Sequence, residues 1–533
     1  MSRGLNRDLV IIESPGKLKT LHGVFDAIGF HASVCATIGH FLENPGTLKD
    51  LAIERRAGEF VETKRKPFRE DSYRYLCDQI RKCSGRILIA TDNDQEGHVI
   101  AQDLADLVAS LAPSRPVLRM LMCGLDRENI IRALSALHPL DSSKSIPGTA
   151  RRIADRIIGG CLSDFDRNRP VGRVQSALLG LCADEGLPHT HLRLKMPCID
   201  SGKPFVGELP IFGATTPAEL IAALGADTLP AAPIARSEQS AMSAPLAYGD
   251  ALLGLHRSLD MGVAQAASLL QQMYESGDIT YPRTTSRKLT DAGIKSAERM
   301  ARTRGLIAFK KDLLARADPS APHEAIRVLN EDRLRNLEIG RPLRLFDNDR
   351  DAALAFIARR TLESGMPIQR DYPDLSGAPA WAASVQWKRE TPRTVLPWRY
   401  PEPPQVVGHA VEAALVATMM EHGVGRPSTY AQHAARFAER GLLDYKYDLT
   451  AKGREWLEYA PLALKRPDTS TKMEGLLERE DAPVADLVEQ VLEMATSEEA
   501  SELETIYAKL EAGSPPPDSL ESIEDTDRYR PAF

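Results

Sequence analysis

Two stretches of the sequence decide the fold: DLVIIESPGK at residues 8–17 and RILIATDNDQEG at residues 86–97. Each begins with an apolar run typical of a buried strand in a parallel sheet and continues into a helical pattern. In open α/β sheets, functional side chains gather at the carboxyl ends of such strands. We therefore expect Glu13 and Asp92 to be neighbours, although they are 79 positions apart in the chain.

Three carboxylates alternate in the turn after the second strand: Asp92, Asp94 and Glu96. They can converge on one point, and Mg²⁺ takes oxygen ligands while keeping several waters, so one or two carboxylates plus a substrate phosphate are enough. An acidic N-terminal cap of a helix explains the same residues. On this turn alone, both interpretations stay open.

The turn after the first strand supplies a second set of polar side chains. Ser14 can cap a helix that Pro15 begins, which leaves Glu13 and Lys17 near the strand end. A carboxyl group beside other carboxylates has a raised pKa and can act as a general acid, and a lysine can hold a phosphate. An ordinary strand–helix turn with a surface lysine is the alternative.

A tyrosine segment, ITYPRTTS at residues 279–286, follows an amphipathic helix with Gly277 as its expected terminator. Tyrosine is a poor nucleophile while its pKa stays at about 10. Arg283 favours the phenolate of Tyr281 and can neutralise a phosphate under attack, and the two side chains point the same way on an extended segment. A tyrosine buried in a core is the alternative.

Eight motifs in one order resemble the type IA DNA topoisomerases. They are ESPGK (13–17), GHFLENP (39–45), TDNDQEG (91–97), ARRIADRIIG (150–159), VGRVQSALL (171–179), ITYPRTTS (279–286), HEAIR (323–327) and GVGRPSTYA (423–431). Together they span most of residues 9–475. The proline after the tyrosine, Pro282, resembles the topoisomerase III branch of that family.

The resemblance implies a role for each matching residue. Tyr281 would attack a DNA phosphodiester and become linked to the 5′-phosphate, with Arg283 and His323 at the scissile phosphate. Glu13 and Lys17 would form a catalytic pair, and the implied Mg²⁺ ligands are Asp92, Asp94, Glu96 and Glu13. The implied DNA-binding residues are His40, Arg151, Arg173, Gln175, Glu324, Arg327, Arg426, Ser428 and Thr429.

The implied fold is multidomain α/β plus α+β: a TOPRIM Rossmann-like domain, helical winged-helix-like domains and a β-rich arch form a toroid. We expect a TOPRIM domain at 1–140 and a helical DNA-groove domain at 141–196 and 405–510. A β-rich hinge or arch domain is expected at 197–245 and 366–404, a catalytic-tyrosine domain at 246–365 and a disordered acidic tail at 511–533. A hairpin is expected near residues 442–450.

The implied function is ATP-independent cleavage of one DNA strand, passage of another and resealing, which relaxes negative supercoils or decatenates DNA. Transesterification keeps the phosphodiester energy in the tyrosyl bond, which agrees with the lack of a G-x-x-x-x-G-K-[ST] loop. Two alternatives come from other classes: a TOPRIM nuclease or primase-like enzyme that uses only the acidic turn, and a catalytically weak relative that binds single-stranded DNA.

Several positions depart from the family pattern, and three of them lie in the acidic and tyrosine segments. The acidic motif usually reads D-x-D-R-E-G-E, but here Gln95 replaces the arginine and His98 replaces the last glutamate. Thr285 stands where aspartate or asparagine is usual. The metal carboxylates are retained, so these departures bear on efficiency and substrate preference. We also expect a compact form, without the C-terminal zinc modules of many relatives.

Charge is unevenly distributed along the chain. The net charge is −7, but residues 474–533 hold 17 acidic and 4 basic residues, so the preceding part is mildly basic. We expect single-stranded segments of DNA, with RNA as a second candidate, as partners of a monomer whose acidic tail is free to recruit a protein. Seven cysteines without a C-x-x-C pair and no apolar run of the ~18 residues that a membrane helix needs predict a cytoplasmic, membrane-free protein.

Overall fold

The computed structural model describes residues 7–213, 215–318, 321–399, 405–498 and 500–512. The elements of its first domain are β1 (Asp8–Ile12), α1 (Leu18–Ile28), β2 (Ala32–Ala36), β3 (Leu42–Glu43), β4 (Ile53–Arg56), β5 (Glu59–Glu62), β6 (Lys66–Pro67), α2 (Glu70–Lys82), β7 (Ile87–Ala90), α3 (Gln95–Leu111), β8 (Val117–Arg119) and α4 (Arg127–Ser135). Four of the strands form a parallel sheet in the order β2-β1-β7-β8. The remaining strands form two small antiparallel pairs, β3 with β6 and β4 with β5.

The central strands β1 and β7 are buried on both faces, as their unbroken apolar sequences predict. Alternate side chains of β1 enter two different cores. Leu9 and Ile11 pack with α2 and α3, whereas Val10 and Ile12 pack with α1 and α4. This three-layer arrangement leaves the carboxyl ends of β1 and β7 side by side at one edge of the sheet.

A helical body follows the first domain and is completed by the C-terminal part of the chain. Its helices are α5 (Ile146–Leu162), α6 (Arg173–Asp184), α13 (Val411–His422), α14 (Tyr430–Glu439), α15 (Ala451–Tyr459), α16 (Leu462–Lys465), α17 (Pro467–Leu476), α18 (Val484–Ala495) and α19 (Ala500–Glu511). Helices α5, α17 and α18 share a core that includes Ile157, Met473 and Val488. The predicted hairpin is confirmed, since Leu443 and Leu449 form an antiparallel bridge.

The β-rich domain consists of two three-stranded sheets. Its elements are β9 (Thr190–Met196), β10 (Phe205–Ile211), α7 (Pro217–Leu224), β11 (Ile234–Ala241), β12 (Pro367–Pro373), β13 (Arg389–Pro392) and β14 (Val406–Gly408). The sheets have the orders β10-β9-β14 and β11-β12-β13, so each is completed by chain from both sides of the intervening helices. Two distant segments of the chain therefore build this domain.

The structure corrects three details of the secondary-structure expectation. Residues 190–196, expected to be helical, form the strand β9, because THLRLKM alternates buried and more exposed side chains with a period of two. Strand β14 pairs with β9, so the sheet extends past both predicted limits of the β-rich domain. Residues 217–224, expected as strands and loops, form α7, which Thr216 and Glu219 close with a capping box.

The helices between β11 and β12 surround the tyrosine segment. They are α8 (Tyr248–Leu259), α9 (Val263–Glu275), α10 (Asp291–Thr303), α11 (Glu331–Arg335) and α12 (Asp349–Glu363). Helix α9 ends just before Gly277, which has a φ of 75° and turns the chain into the tyrosine segment, as predicted.

The acidic C-terminal part is folded as far as it is described. Glu511, the first residue of the predicted disordered tail, lies in α19, and its carboxylate binds Arg55, which also binds Glu489 of α18. Residues 513–533 lie outside the described residues, and so does the tail prediction for them. Across the described ranges, no helix has both the length and the apolar character needed to cross a membrane.

Candidate active site

The carboxyl ends of β1 and β7 bring the first predicted site residues together. The register pairs Ile12 with Ala90, so the residues that follow each strand share one edge of the sheet. The backbone N–H of Asp92 points at the Glu13 carboxylate, with 3.4 Å between Asp92 N and Glu13 Oε2. The expected neighbourhood of Glu13 and Asp92 is therefore confirmed.

Lys17 is buried in this site. Ser14 caps the 3-10 turn at Pro15–Lys17 by accepting a hydrogen bond from the Gly16 N–H, and the turn directs Lys17 inward. The Lys17 side chain is 0% exposed, and its ammonium donates to Asp92. The alternative of a surface lysine is therefore wrong.

Asp94 caps α3, as one of the two interpretations predicts, and it also contacts the tyrosine segment. Its carboxylate caps α3 by accepting from the Gly97 N–H at 2.8 Å, and it also accepts a hydrogen bond from the hydroxyl of Tyr281. Glu96, in the first turn of α3, lies with its carboxylate 3.8 Å from His40 Nε2. The four carboxylates of Glu13, Asp92, Asp94 and Glu96 are called the acid cluster below.

Tyr281 lies against the acid cluster and is 2% exposed. Its ring stacks on His323, with 4.3 Å between ring centroids, and His323 Nε2 donates to the carbonyl of Asn93 at 2.7 Å. The Tyr281 backbone N–H donates to the carbonyl of Cys123 at 3.2 Å. Contacts from two domains thus hold the phenol where it touches Asp94.

Burial and mutual repulsion disfavour the charged forms of several groups in the acid cluster. Burial, then Asp92 and Asp94, raise the pKa of Glu13 well above its ordinary value, and burial with Asp94 raises the pKa of Glu96 to about 6. Burial and the Asp94 charge also raise the pKa of Tyr281 well above its ordinary value. Asp94 differs: burial raises its pKa, but the hydrogen bonds from Tyr281 and Gly97 outweigh burial and lower it.

The acid cluster offers the right kind of ligand for a hard divalent cation, but it limits how many protein ligands one cation can have. Carboxylate oxygens with excess negative charge are the ligands that Mg²⁺ takes. In the described part of the chain, however, no three side chains of His, Cys, Asp or Glu are arranged to hold one metal ion together. The arrangement therefore fits a cation held by one or two carboxylates and otherwise by water.

A second charged cluster lies beside the acid cluster in the helical body. The carboxylate of Glu474 on α17 binds Arg173 at 2.5 Å and Arg151 at 2.6 Å, and Arg426 lies 4.0 Å away. Asp155 also binds Arg173, at 2.9 Å. Arg151, Arg173 and Arg426 around Glu474 are called the arginine cluster below.

The arginine cluster borders a cavity of about 190 Å³ between α5, α6 and α14. Seven of the predicted DNA-binding residues line this cavity: His40, Arg151, Arg173, Gln175, Arg426, Ser428 and Thr429. Glu324 and Arg327 are not among its lining residues. They bind each other at 2.8 Å beneath the tyrosine segment, where Glu324 also accepts from the Thr290 hydroxyl at 2.7 Å.

Arg283, the remaining predicted residue, is half-buried on the segment that carries Tyr281. Burial lowers its pKa, but the proximity of Tyr281 and of the Asp94 carboxylate outweighs burial and raises it above the ordinary value. Its guanidinium is therefore a permanent positive charge facing both the phenol and the acid cluster.

Three further residues belong to the site and were not predicted from the sequence. Tyr274 on α9 donates its hydroxyl to Asp92 at 3.1 Å, and its ring faces the Lys17 ammonium at 4.9 Å. Arg119 ends β8 and donates to the carbonyls of Thr91 and Asp92, both at 2.9 Å. The rule that places functional residues at strand ends would find Arg119 once β8 is assigned. Glu474 follows the last recognised motif.

The departures from the family pattern have distinct surroundings. The Gln95 side-chain oxygen accepts from Arg426 at 2.5 Å and from Arg151 at 3.3 Å. His98 is half-buried, and burial, then Arg119, lower its pKa to about 4, so it is neutral near pH 7. Thr285 is exposed to solvent.

The seam between the first domain and the tyrosine-bearing helices closes over this site. The Ser14 hydroxyl donates to Glu275 Oε1 at 2.6 Å, and the Thr20 hydroxyl donates to the Glu275 carbonyl at 2.8 Å. Cys123 lies in the same seam, with its Sγ 3.7 Å from the carbonyl oxygen of Pro322. These contacts must separate if Tyr281 is to move away from the acid cluster.

Comparisons with known proteins agree with this architecture. A Toprim domain model matches residues 8–120, and a DNA topoisomerase family model matches residues 222–370. DNA topoisomerase 1 of Thermotoga maritima is 26% identical over 488 residues, which cover 81% of this chain and 74% of that protein. The chain belongs to the type IA DNA topoisomerases. DNA topoisomerase 1 of Aquifex aeolicus is 24% identical over 504 residues, 82% of this chain and 87% of the relative.

The comparison with solved structures supports the fold. The structure of full-length topoisomerase I from Thermotoga maritima matches with a TM-score of 0.64 at 21% identity, over 92% of this chain and 90% of that one. The predicted multidomain α/β toroidal fold is thus confirmed. The Thermotoga maritima and Aquifex aeolicus relatives both bear the name DNA topoisomerase 1. Assignment of this chain to the topoisomerase III branch therefore stays a prediction. The Toprim domain is one that generally binds a divalent metal.

Proposed function

We propose that the chain cleaves one DNA strand through Tyr281 without ATP, passes another strand through the break and reseals it. The observation that carries the proposal is the position of the Tyr281 hydroxyl. It donates to Asp94 of the acid cluster from a helical domain on the far side of a closed seam. Tyr274 also donates its hydroxyl to this cluster, but Tyr281 is the tyrosine whose ring stacks on His323 and whose phenol lies within the influence of the Arg283 charge.

The chemistry is a transesterification. The phenol oxygen of Tyr281 forms a bond to phosphorus, and the phenol proton passes to Asp94, its hydrogen-bond partner. The bond between phosphorus and the 3′-oxygen breaks, and Glu13 supplies the proton that the leaving 3′-oxygen needs. Resealing runs the same steps backwards, so the energy of the phosphodiester is conserved.

Positive charge on both sides of the phosphate favours the attack. Arg283 lies beside Tyr281 and neutralises charge on the phosphate. Lys17 donates to Asp92 and fixes the position of that carboxylate. His323 stacks on the phenol and orients its ring. We propose Mg²⁺ as the cation of the acid cluster, held by Asp94, Glu96 or Asp92, with Glu13 beside them. When bound, it supplies positive charge beside the scissile phosphate.

The substrate we propose is a single-stranded segment of DNA lying along the cavity at the arginine cluster. Single-strand binding needs a basic groove that follows the backbone. An RNA strand offers the same phosphates, and competition between the two distinguishes them. We further propose that the chain acts as a monomer, with the β-rich domain as the hinged arch. We also propose the domain limits that were predicted from the sequence.

Two further proposals concern the surroundings of the protein. The seven cysteines are all free thiols in the structure, which suits a reducing compartment, and we propose the cytoplasm. We propose that the acidic residues after 512 recruit a protein partner. A pull-down that compares the whole chain with a variant truncated after residue 512 tests this second point.

The decisive experiment uses one oligonucleotide labelled at either end. The single strand is incubated with the protein and Mg²⁺ and then denatured in detergent. We expect the 3′-label to migrate with the protein and the 5′-label to be released on a shorter fragment, because the tyrosine is linked to the 5′-phosphate. Chelation of the metal should abolish the adduct.

Tyr281→Phe should form no adduct and still bind the strand, because it loses only the attacking oxygen. The matched control is Tyr75→Phe, at a half-exposed tyrosine on α2, which should cleave normally. Release of both labels as free fragments would instead indicate the nuclease alternative. Binding without any cleavage would indicate the weak single-strand-binding relative.

A further inference from the structure

Gln95 lies at the point where the acid cluster meets the arginine cluster. It is the first residue of α3, and its neighbours in the chain are Asp94 and Glu96. Any displacement of its backbone therefore moves two carboxylates of the acid cluster. Its side chain points the other way and lines the cavity of the helical body.

The Gln95 amide joins three separate segments. Its oxygen accepts from Arg426, in the loop before α14, at 2.5 Å and from Arg151 on α5 at 3.3 Å. Its nitrogen donates to the carbonyl of Leu477, at the end of α17, at 3.2 Å. Both functional ends of the amide are thus used, and each bond leaves the first domain for the helical body.

The Gln95 oxygen gives two of the arginines a further acceptor, because the arginine cluster carries more positive than negative charge. Three guanidinium groups share the carboxylates of Glu474 and Asp155. Burial, and the proximity of Arg426 and Arg173, lower the pKa of Arg151 to about 10 although Glu474 opposes them. One nitrogen of Arg151, Nη2, is buried and has no hydrogen-bond partner within the described ranges.

A guanidinium that keeps one free N–H group beside a cavity can donate it to an anion. A phosphate of the bound strand would bring the missing negative charge to Arg151 and Arg426. Both of these arginines are tied to Gln95, so their position when they hold a phosphate is transmitted to the first turn of α3. The remaining contact of Gln95, with Leu477, fixes the amide against rotation.

We propose that Gln95 is a positioning residue that keeps the single-strand groove in register with the acid cluster. It does not touch the reacting atoms. It sets the distance between the phosphate held by the arginine cluster and the phosphate that Tyr281 attacks. This inference rests on the proposed function, since it assigns Gln95 to the cleavage step of that reaction.

The test separates binding from cleavage. Gln95→Met keeps the length of the side chain and removes both ends of the amide. We expect single-turnover cleavage of the strand to slow about tenfold, while the dissociation constant for the strand changes less than about twofold. The matched control is Gln102→Met on the same helix, whose amide donates to Asp106 at 2.9 Å. Equal thermal midpoints of the two variants show that Gln95→Met is folded.

A double-mutant cycle asks whether Gln95 acts through the arginine. Combined with Arg426→Met, the Gln95→Met change should have little further effect on the cleavage rate. Additive losses, an unchanged rate in Gln95→Met, or equal losses of binding and cleavage would each overturn the inference. If the unmodified chain forms no adduct at all, the proposed function fails, and the inference fails with it.

Discussion

The acid cluster and the arginine cluster are two buried groups of charged side chains in which charges of opposite sign predominate. In the acid cluster, carboxylates crowd together, and the pKa values of Glu13 and Glu96 are raised. In the arginine cluster, three guanidinium groups share the carboxylates of Glu474 and Asp155, and the pKa of Glu474 is lowered even though burial opposes this. Carboxylates predominate in one cluster and guanidinium groups in the other, which supports the proposal of a metal at the first and a phosphate of the strand at the second.

The largest effect should come from breaking the arginine cluster at its centre. Glu474→Gln removes the negative charge that Arg151 and Arg173 share, and it leaves two buried guanidinium groups underpaired. We expect a loss of about 3 to 5 kcal/mol in the free energy of unfolding, measured on the first denaturant transition. The exposed Glu478→Gln, one turn further along, should lie within about 0.5 kcal/mol of the original chain.

This loss should depend on pH with a definite sign. The folded pKa of Glu474 is depressed, so the stabilisation is fully present above the ordinary glutamate pKa of about 4.3 and fades as pH falls below it. The stability difference between the original chain and Glu474→Gln should therefore narrow in acid. A difference that stays constant from pH 7 to pH 3 would contradict this account of the cluster.

A smaller but functional effect should come from the acid cluster. Glu13→Gln removes the proposed proton donor for the 3′-oxygen and should slow single-turnover cleavage about a hundredfold. Binding of the strand should be retained, because Glu13 lies outside the cavity. Glu59→Gln, on the exposed end of β5, is the control. Equal cleavage by Glu13→Gln and the control would remove Glu13 from the mechanism.

The smallest effect should come from the edge of the arginine cluster. Arg426→Ala removes one cation from the cavity, and we expect the affinity for a single strand to fall about threefold to tenfold. The slope of log affinity against log salt should drop by about 0.7, as for one lost phosphate contact. Arg81→Ala, an exposed arginine on α2, should change neither quantity. An unchanged salt slope in Arg426→Ala would place the strand elsewhere.

The two clusters also differ in how far the sequence predicts them. The acid cluster follows from local patterns, because apolar strands identify the sheet and the strand ends identify Glu13 and Asp92. The resemblance to the family then adds Tyr281 and His323, which lie far from the strands in sequence. For this cluster the geometry agrees with the prediction, apart from the burial of Lys17.

The sequence predicts the arginines of the arginine cluster but not the carboxylate at its centre. The motifs place Arg151 and Arg173 at the groove, but the charge pattern marks Glu474 only as the first residue of an acidic region. Its position 301 residues from Arg173 leaves no local pattern that joins them. Strand β9 escapes prediction for a different reason: its alternation is short and directly follows a long helical stretch. Pairing with the neighbouring β10 and with the distant β14 makes the segment a strand.

Cys123 in the seam gives the molecule a built-in reporter. Its thiol is partly shielded while the first domain and the tyrosine-bearing helices are in contact, and burial raises its pKa, so the closed form should react slowly with alkylating reagents. Separation of the seam would expose this sulfur. The rate at which Cys123 itself is alkylated, resolved by peptide mass analysis from the other partly exposed cysteines Cys161 and Cys198, therefore reports how often the seam opens.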